Sequence, residues 1–123
     1  MDKIKILVVD DSNIISNFIT KIFDDTYDVI SLKDGKEAID FLASNTSTIR
    51  GMLLDLNMPN VNGYEVLNFM KINNFFSKIS VAIITGTDSA SVLQNTKGYP
   101  IVAILEKPFN EANVRKVVNM LVK

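Results

Sequence analysis

Four short apolar runs in this 123-residue chain each stop at a side chain that can bind or react with phosphate. Ile6-Leu7-Val8-Val9 runs into Asp10-Asp11, and Met52-Leu53-Leu54 into Asp55. Val81-Ala82-Ile83-Ile84 runs into Thr85, and Val102-Ala103-Ile104-Leu105 into Glu106-Lys107-Pro108. Runs that apolar read as strands buried on both faces, as in a parallel sheet. Such sheets bind ligands outside the carboxyl ends of their strands. Three carboxylates, a hydroxyl and an ammonium would then gather at one edge, a set suited to holding a metal ion and a phosphoryl group.

Between the runs the punctuation is helical. Ser12 can cap a helix whose apolar stripe is Ile15, Phe18, Ile19 and Ile22, at i, i+3, i+4 and i+7. Asp28 to Leu32 reads as a second strand, and Lys36 to Ala43 as a helix with Ala38, Ile39 and Leu42 inward. The stretch from Asn57 to Gly63 is dense in turn formers, and the helix after it turns Val66, Leu67 and Met70 inward. A weak fourth helix is expected over Ser89 to Asn95, ended with the help of Gly98 and Pro100. Asn110 starts a last helix with Val114, Val117, Val118 and Leu121 inward, and Phe75-Phe76 reads as a core plug. Five strand-helix units make a doubly wound α/β domain.

Composition excludes several functions. With no Cys there is no redox motif or thiolate metal site, and with no His no phosphohistidine can form on this chain. Thirteen basic against fourteen acidic residues, with no basic stripe, argue against nucleic-acid binding. The apolar part of Lys3 to Val9 is too short for a signal peptide, and nothing approaches the length of a membrane span. A cytoplasmic protein is expected.

Taken singly, each strand-end residue has a plain reading: Asp10-Asp11 as a cap, Asp55 as a turn residue, Thr85 as a strand end, Lys107 as a surface lysine. Their shared position at the ends of parallel strands is what favours a site. Two carboxylates about 4 Å apart repel by roughly 4 kcal/mol at an effective dielectric near 20, so three in one cleft need cations. Lys107 supplies one charge, and a divalent ion held by carboxylates, a carbonyl and waters supplies the rest, in a Mg²⁺-like arrangement without soft ligands.

Read together, four segments stand in an order and spacing that resembles the receiver domains of two-component response regulators, the chemotaxis-regulator fold. They are Ile6 to Ser12, Leu53 to Gly63, Ile83-Ile84-Thr85-Gly86 and Glu106-Lys107-Pro108-Phe109. The resemblance covers essentially the whole chain and implies a single receiver domain over residues 1–123. Its fold would be a five-stranded parallel sheet with five helices in the flavodoxin-like order 2-1-3-4-5. It implies that Asp55 is the phosphoacceptor, taking a phosphoryl group from a phosphohistidine on a sensor kinase or phosphotransfer protein. Mg²⁺, or Mn²⁺ in its place, would be held by Asp10, Asp11, Asp55 and the backbone carbonyl of Asn57. Lys107 would pair with a phosphoryl oxygen beside a cis Lys107–Pro108 bond, Thr85 would bring its hydroxyl to the phosphoryl group, and the backbone at Leu56 and Gly86 would line its pocket. Gly86 stands where the family usually has Ala.

The residues two after the acceptor and two after the threonine, Asn57 and Thr87, tune phosphate lifetime in that family. Both are short and polar here, so moderately fast autodephosphorylation is expected. The family's aromatic switch residue is replaced by Leu105, which shifts the expected signalling to the Thr85 loop and the fourth helix. Ile14 either docks a helical histidine donor or packs on the last helix. Arg115, Lys116, Asn119 and Met120 are expected outside the last helix's core stripe, and a downstream target is expected on the face of helix 4, strand 5 and helix 5. The chain is expected to stand alone rather than to be a piece of a larger regulator. Two other classes stay open: a haloacid-dehalogenase-like phosphatase, which needs a second Asp where Asn57 stands, and a pseudo-receiver that is never phosphorylated.

Overall fold

An unalternating apolar strand is shielded only when partners pair along it and helices cover both of its faces. The computed structural model, which describes residues 3–44, 49–58, 61–86 and 89–123, meets both conditions for the central strands. The strands are β1 (Lys5–Val9), β2 (Asp28–Leu32), β3 (Ile49–Asp55), β4 (Ser80–Thr85) and β5 (Ile101–Glu106). They alternate with helices α1 (Asn13–Phe23), α2 (Gly35–Ser44), α3 (Gly63–Ile72), α4 (Ser89–Asn95) and α5 (Glu111–Val122). All pairings are parallel, in the order β2-β1-β3-β4-β5. This is the doubly wound, flavodoxin-like arrangement expected from the sequence.

The period of two along each strand sends alternate side chains into two separate layers. Leu7, Val9, Met52, Leu54, Val81 and Ile83 meet Leu42, Leu67, Met70 and Val92 from α2, α3 and α4. Ile6, Val8, Leu53, Ala82 and Ile84 meet Ile19, Phe23, Val114, Val118 and Leu121 from α1 and α5. Leu53 and Leu54 thus point into opposite layers, each fully buried and each contributing about 2 kcal/mol from removal of apolar surface from water.

Local chemistry ends the helices as their sequences suggest. Ser12 caps α1 by accepting from the Ile15 amide at 3.3 Å. Asn62 with Glu65 and Asn110 with Asn113 close reciprocal capping boxes on α3 and α5. A 3-10 turn at Phe75–Ser77 stacks Phe75 on Phe69 and sets Phe76 against Tyr99, forming the expected plug. The last turn of α4 is closed by Thr96, buried with its hydroxyl donating to the Val92 carbonyl at 2.7 Å.

Two expectations are corrected, and one of the two open readings of Ile14 is removed. The run Val102 to Leu105 is not buried on both faces: β5 is the last strand of the sheet, Val102 is 38% exposed, and Leu105 alone in the run is fully inside. Phe18 is not in the core of the α1 stripe but 39% exposed at its edge, against the Phe109 ring at 6.2 Å. The buried face turns instead through Ser16, Ile19 and Phe23. Ile14 does not pack on the last helix and is 83% exposed. No helix among the described residues is long and apolar enough to cross a membrane.

Candidate functional site

Sheet register determines what gathers at the carboxyl edge. Val9 lies level with Leu32 and Leu54, Asp55 with Ile84, and Thr85 with Glu106. Asp10 and Asp55 therefore leave their strands at one level, with Thr85 one residue and Lys107 two residues further out on the next two strands, so all four reach the same edge, as the strand-end argument anticipates. Asp11, one residue past Asp10, is exposed at the mouth.

Asp10 is fully buried, with Oδ1 accepting from the Ser12 amide at 2.9 Å. Its Oδ2 has no hydrogen-bond donor among the described residues, and Lys107 Nζ lies 3.7 Å away. Asp55 is also buried; Oδ1 accepts from the Asn57 amide at 2.9 Å, and Oδ2 is 3.5 Å from Lys107 Nζ. Carboxylate oxygens of Asp10, Asp11 and Asp55 lie within 4.8 Å of one another. Burial pushes the Asp55 carboxyl above its ordinary value, the Asn57 amide opposes this, the Asp10 charge adds to it, and Lys107 opposes it again. The ion pair with Lys107 is thus too weak to overcome desolvation, in keeping with an ammonium that is 32% exposed.

Lys107 is held from the backbone. Its amide donates to the Thr85 carbonyl at 2.7 Å, and the following bond to Pro108 is cis, as the resemblance implied. Thr85 is buried beside a cavity of about 320 Å³ that Leu56, Asn57, Tyr64, Ser91, Val92 and Asn95 also line. Gly86 is exposed, and a Cβ there would meet nothing within 4 Å. Leu56 is buried, with its carbonyl accepting from the Gly63 amide at 3.2 Å. Asn57 is exposed, and Thr87 lies outside the described residues. Leu105 packs inward with Ile84 and Val117.

The acidic cluster fits a divalent ion. A buried carboxylate oxygen without a donor needs a cation, and among the described residues Asp10 Oδ2 is such an atom. Three oxygen ligands within 4.8 Å, with no thiol or imidazole in the chain, suit a hard ion.

Several features escaped the sequence reading. Glu106, adjacent to Lys107, accepts from the Ser89 amide at 3.1 Å and from its hydroxyl at 2.8 Å, tying β5 to the start of α4. Tyr64 enters the cavity wall. Gly63 packs so closely that a Cβ would stand 2.6 Å from the Asp55 carbonyl oxygen. The Asn62-x-x-Glu65 capping pattern was readable and places Gly63 as the first residue of α3; the close approach itself had no sequence signal.

Beside Lys107 runs an apolar groove of about 340 Å³, lined by Ile14, Ile15, Phe18, Pro108 and Phe109. On the β5 side, Leu93, Val102 and Met120 are exposed on α4, β5 and α5. Arg115, Lys116 and Asn119 are exposed with Met120 on α5, as expected.

Comparison with known proteins agrees with this geometry. The family profile described as "Response regulator receiver domain" matches residues 6–119. A probable methanogenesis regulatory protein, FilR2 of Methanothrix harundinacea, is 31% identical over 95% of this chain and 80% of its own length. Sporulation initiation phosphotransferase F of Bacillus subtilis is 28% identical over 93% of this chain and 90% of its own length. Among solved structures, a chain of the CheX-CheY-BeF3-Mg2+ complex from Borrelia burgdorferi superposes with a TM-score of 0.85 at 25% identity, covering 99% of this chain and 92% of that one.

Proposed function

Since the chain belongs to the response regulator receiver domain family, we propose that it is a single receiver domain over residues 1–123 that accepts a phosphoryl group on Asp55 from a partner's phosphohistidine. The observation that carries this reading is the meeting of buried Asp55, Lys107 at 3.5 Å and the Asp10–Asp11 carboxylates within 4.8 Å.

Transfer forms a bond from an Asp55 carboxylate oxygen to phosphorus and breaks the bond from phosphorus to the histidine nitrogen, which keeps the electron pair. Asp55 must be ionised to attack, yet burial and the Asp10 charge oppose ionisation. Mg²⁺, or Mn²⁺, held by Asp10, Asp11, Asp55 and the Asn57 carbonyl would supply charge neutralisation to both the acceptor and the incoming phosphoryl group. The Asn57 amide grips Oδ1 and so sets the carboxylate plane, leaving Oδ2 facing Lys107. Lys107 then pairs with a phosphoryl oxygen, the backbone amides of Leu56 and Gly86 take others, and the Thr85 hydroxyl engages last. Short Asn57 leaves a path for water, so the phosphorylated form turns over moderately fast; Thr87 joins it in that role.

Leu105 already lies inside and has no ring to relocate, so the output passes through the Thr85 loop and α4 to a protein target on the α4–β5–α5 face, where Leu93, Val102 and Met120 are exposed. The donor, a sensor kinase or histidine phosphotransfer protein in the cytoplasm, docks a helix in the groove of Ile14, Phe18, Pro108 and Phe109. That groove adjoins Lys107, which brings the phosphohistidine to Asp55.

The deciding experiment is intact-protein mass spectrometry after incubation with acetyl phosphate, with and without Mg²⁺, on wild type and Asp55→Asn. One Mg²⁺-dependent phosphoryl adduct, missing from the variant, is expected. An adduct that survives in Asp55→Asn would move the acceptor elsewhere, and no adduct from acetyl phosphate or a phosphohistidine donor would end the proposal.

A further inference from the structure

We propose that Gly35, twenty residues before Asp55 and in a different strand-helix unit, is a positioning residue for the Asp55 carboxylate. The inference rests on the acceptor reading above and deepens it. Gly35 is the buried first residue of α2, and its amide donates to the Val61 carbonyl at 3.0 Å. A Cβ there would stand 2.3 Å from that oxygen, 2.7 Å from Val61 Cγ1 and 2.8 Å from Val61 C. The first two atoms belong to different parts of Val61, so no side-chain rotation relieves the overlap. Only glycine lets the start of α2 approach the β3–α3 connection this closely.

Val61 lies on the segment that governs Asp55. At one end of that segment the Asn57 amide holds Asp55 Oδ1 at 2.9 Å. At the other end the Gly63 amide returns to the Leu56 carbonyl at 3.2 Å, and Asn62 caps α3. Val61 thus stands two residues before the Gly63 amide that is tied back to Leu56, and the Gly35–Val61 bond joins this tie to another element. That element is firm on its own account: Asp34 Oδ1 accepts from the Glu37 amide and Glu37 Oε1 from the Lys33 amide, both at 2.9 Å. The start of α2 thus acts as a post against which the connection is set.

Real Cβ atoms essentially never come within 3.0 Å of such neighbours, so Gly35→Ala forces a shift of at least 0.7 Å (3.0 minus 2.3) between the post and Val61. Passed from Val61 through Asn62 and Gly63 to the Leu56 carbonyl, which lies between Asp55 and the Asn57 amide, a displacement of that size re-aims Oδ1. Misplacements near 1 Å cost a reaction up to about 100-fold.

The test compares Gly35→Ala with Gly51→Ala. At Gly51 a Cβ would meet Leu121 Cβ at 2.9 Å, a milder overlap toward the opposite end of β3, so Gly51→Ala reports plain destabilisation away from the site. Gly35→Ala is expected to weaken Mg²⁺ binding, titrated with the metal alone, by about tenfold and to slow phosphoryl uptake from acetyl phosphate at saturating Mg²⁺ by about tenfold or more. Gly51→Ala is expected to leave both within about twofold while lowering the unfolding midpoint. Wild-type protein supplies a second readout that does not depend on the variant folding. With Mg²⁺ at about 100 times its dissociation constant, exchange of the Gly35 amide is expected to slow by up to about 100-fold, because opening that bond releases the site. Wild-type Mg²⁺ affinity in folded Gly35→Ala, a Gly35 amide indifferent to Mg²⁺, or a wild type that binds no Mg²⁺ each overturns the inference. A wild type that binds Mg²⁺ but gains no phosphate defeats the acceptor reading instead, and the affinity and exchange measurements still decide the role of Gly35.

Discussion

Asp55→Asn is expected to stabilise the metal-free protein at pH 7, although it removes an ion pair. In the wild type, Asp55 Oδ2 is attracted to Lys107 at 3.5 Å by about 4.7 kcal/mol at an effective dielectric of 20. Repulsion from the Asp10 carboxylate, at no more than 4.8 Å, is at least about 3.5 kcal/mol on the same scale. Losing both leaves the variant at most about 1 kcal/mol worse, and exposure of the ammonium reduces the attraction further. Against this stands the desolvation of a buried carboxylate, an effective penalty of several kcal/mol that an amide escapes. Weakening the Asn57 bond returns about 1 kcal/mol. The balance is a gain of about 1 to 2 kcal/mol, or about 4 to 8 °C in melting midpoint for a chain of this size.

The effect has a definite pH dependence. The Asp55 pKa is raised in the folded state above its ordinary value of 3.8, so folding favours the protonated form. That contribution is complete below pH 3.8 and is lost as pH rises through the folded-state value. The stability gap between variant and wild type therefore opens with rising pH and closes in acid. Mg²⁺ at ten times its dissociation constant stabilises the wild type by about 1.4 kcal/mol and narrows the gap at pH 7, since the variant keeps only two of the three carboxylates. Urea and thermal unfolding in chelator, from pH 4 to 8, read all of this. A variant no more stable than wild type at pH 7 without metal would show that Lys107 compensates Asp55 in full, and would refute the dominance of burial.

Lys107→Met leaves Asp10 and Asp55 without their shared cation, and a loss of about 2 kcal/mol in metal-free urea unfolding is expected, reversed by Mg²⁺ with an affinity tighter than wild type. Affinity at or below the wild-type value would count against competition between ammonium and metal for these oxygens. Glu106→Gln weakens the two bonds to Ser89 by about 1 kcal/mol, which hydrogen exchange should report as about fivefold faster opening of α4. Unchanged α4 exchange would remove Glu106 from the link between β5 and that helix. Ile14→Glu places a charge in the proposed donor groove and is expected to slow transfer from a phosphohistidine donor at least about tenfold more than transfer from acetyl phosphate. Equal slowing from both donors would argue against docking there.

Much of the architecture was legible because its causes are local. A strand buried on both faces has to be apolar throughout, so β1, β3 and β4 announced themselves. The helix of Ser89 to Asn95, weak as it looked, lies between the residues expected. Register in a parallel sheet brings strand ends level, and this is why Asp10, Asp55, Thr85 and Lys107 could be grouped before any distance was known. Failures came where local pattern and environment part. The run before Glu106 is as apolar as the others, but nothing in its residues says that it is last in the sheet, with one edge unpaired. Phe18 obeys helical spacing, yet the sheet meets α1 slightly to one side, and the ring closes on Phe109 instead.

The sequence by itself determined the order of elements, the two-layer pattern and the chemical identity of the strand-end cluster, since these follow from residue types and periods over a few neighbours. Tertiary structure alone decided which Asp55 oxygen faces Lys107, that Asp10 keeps an oxygen without a donor among the described residues, that Glu106 reaches Ser89, and that Gly35 is set against Val61. Those facts depend on distances between segments far apart in the chain, governed to a fraction of an ångström by close packing. No residue carries such a distance in its own identity; it exists only once both partners are in place.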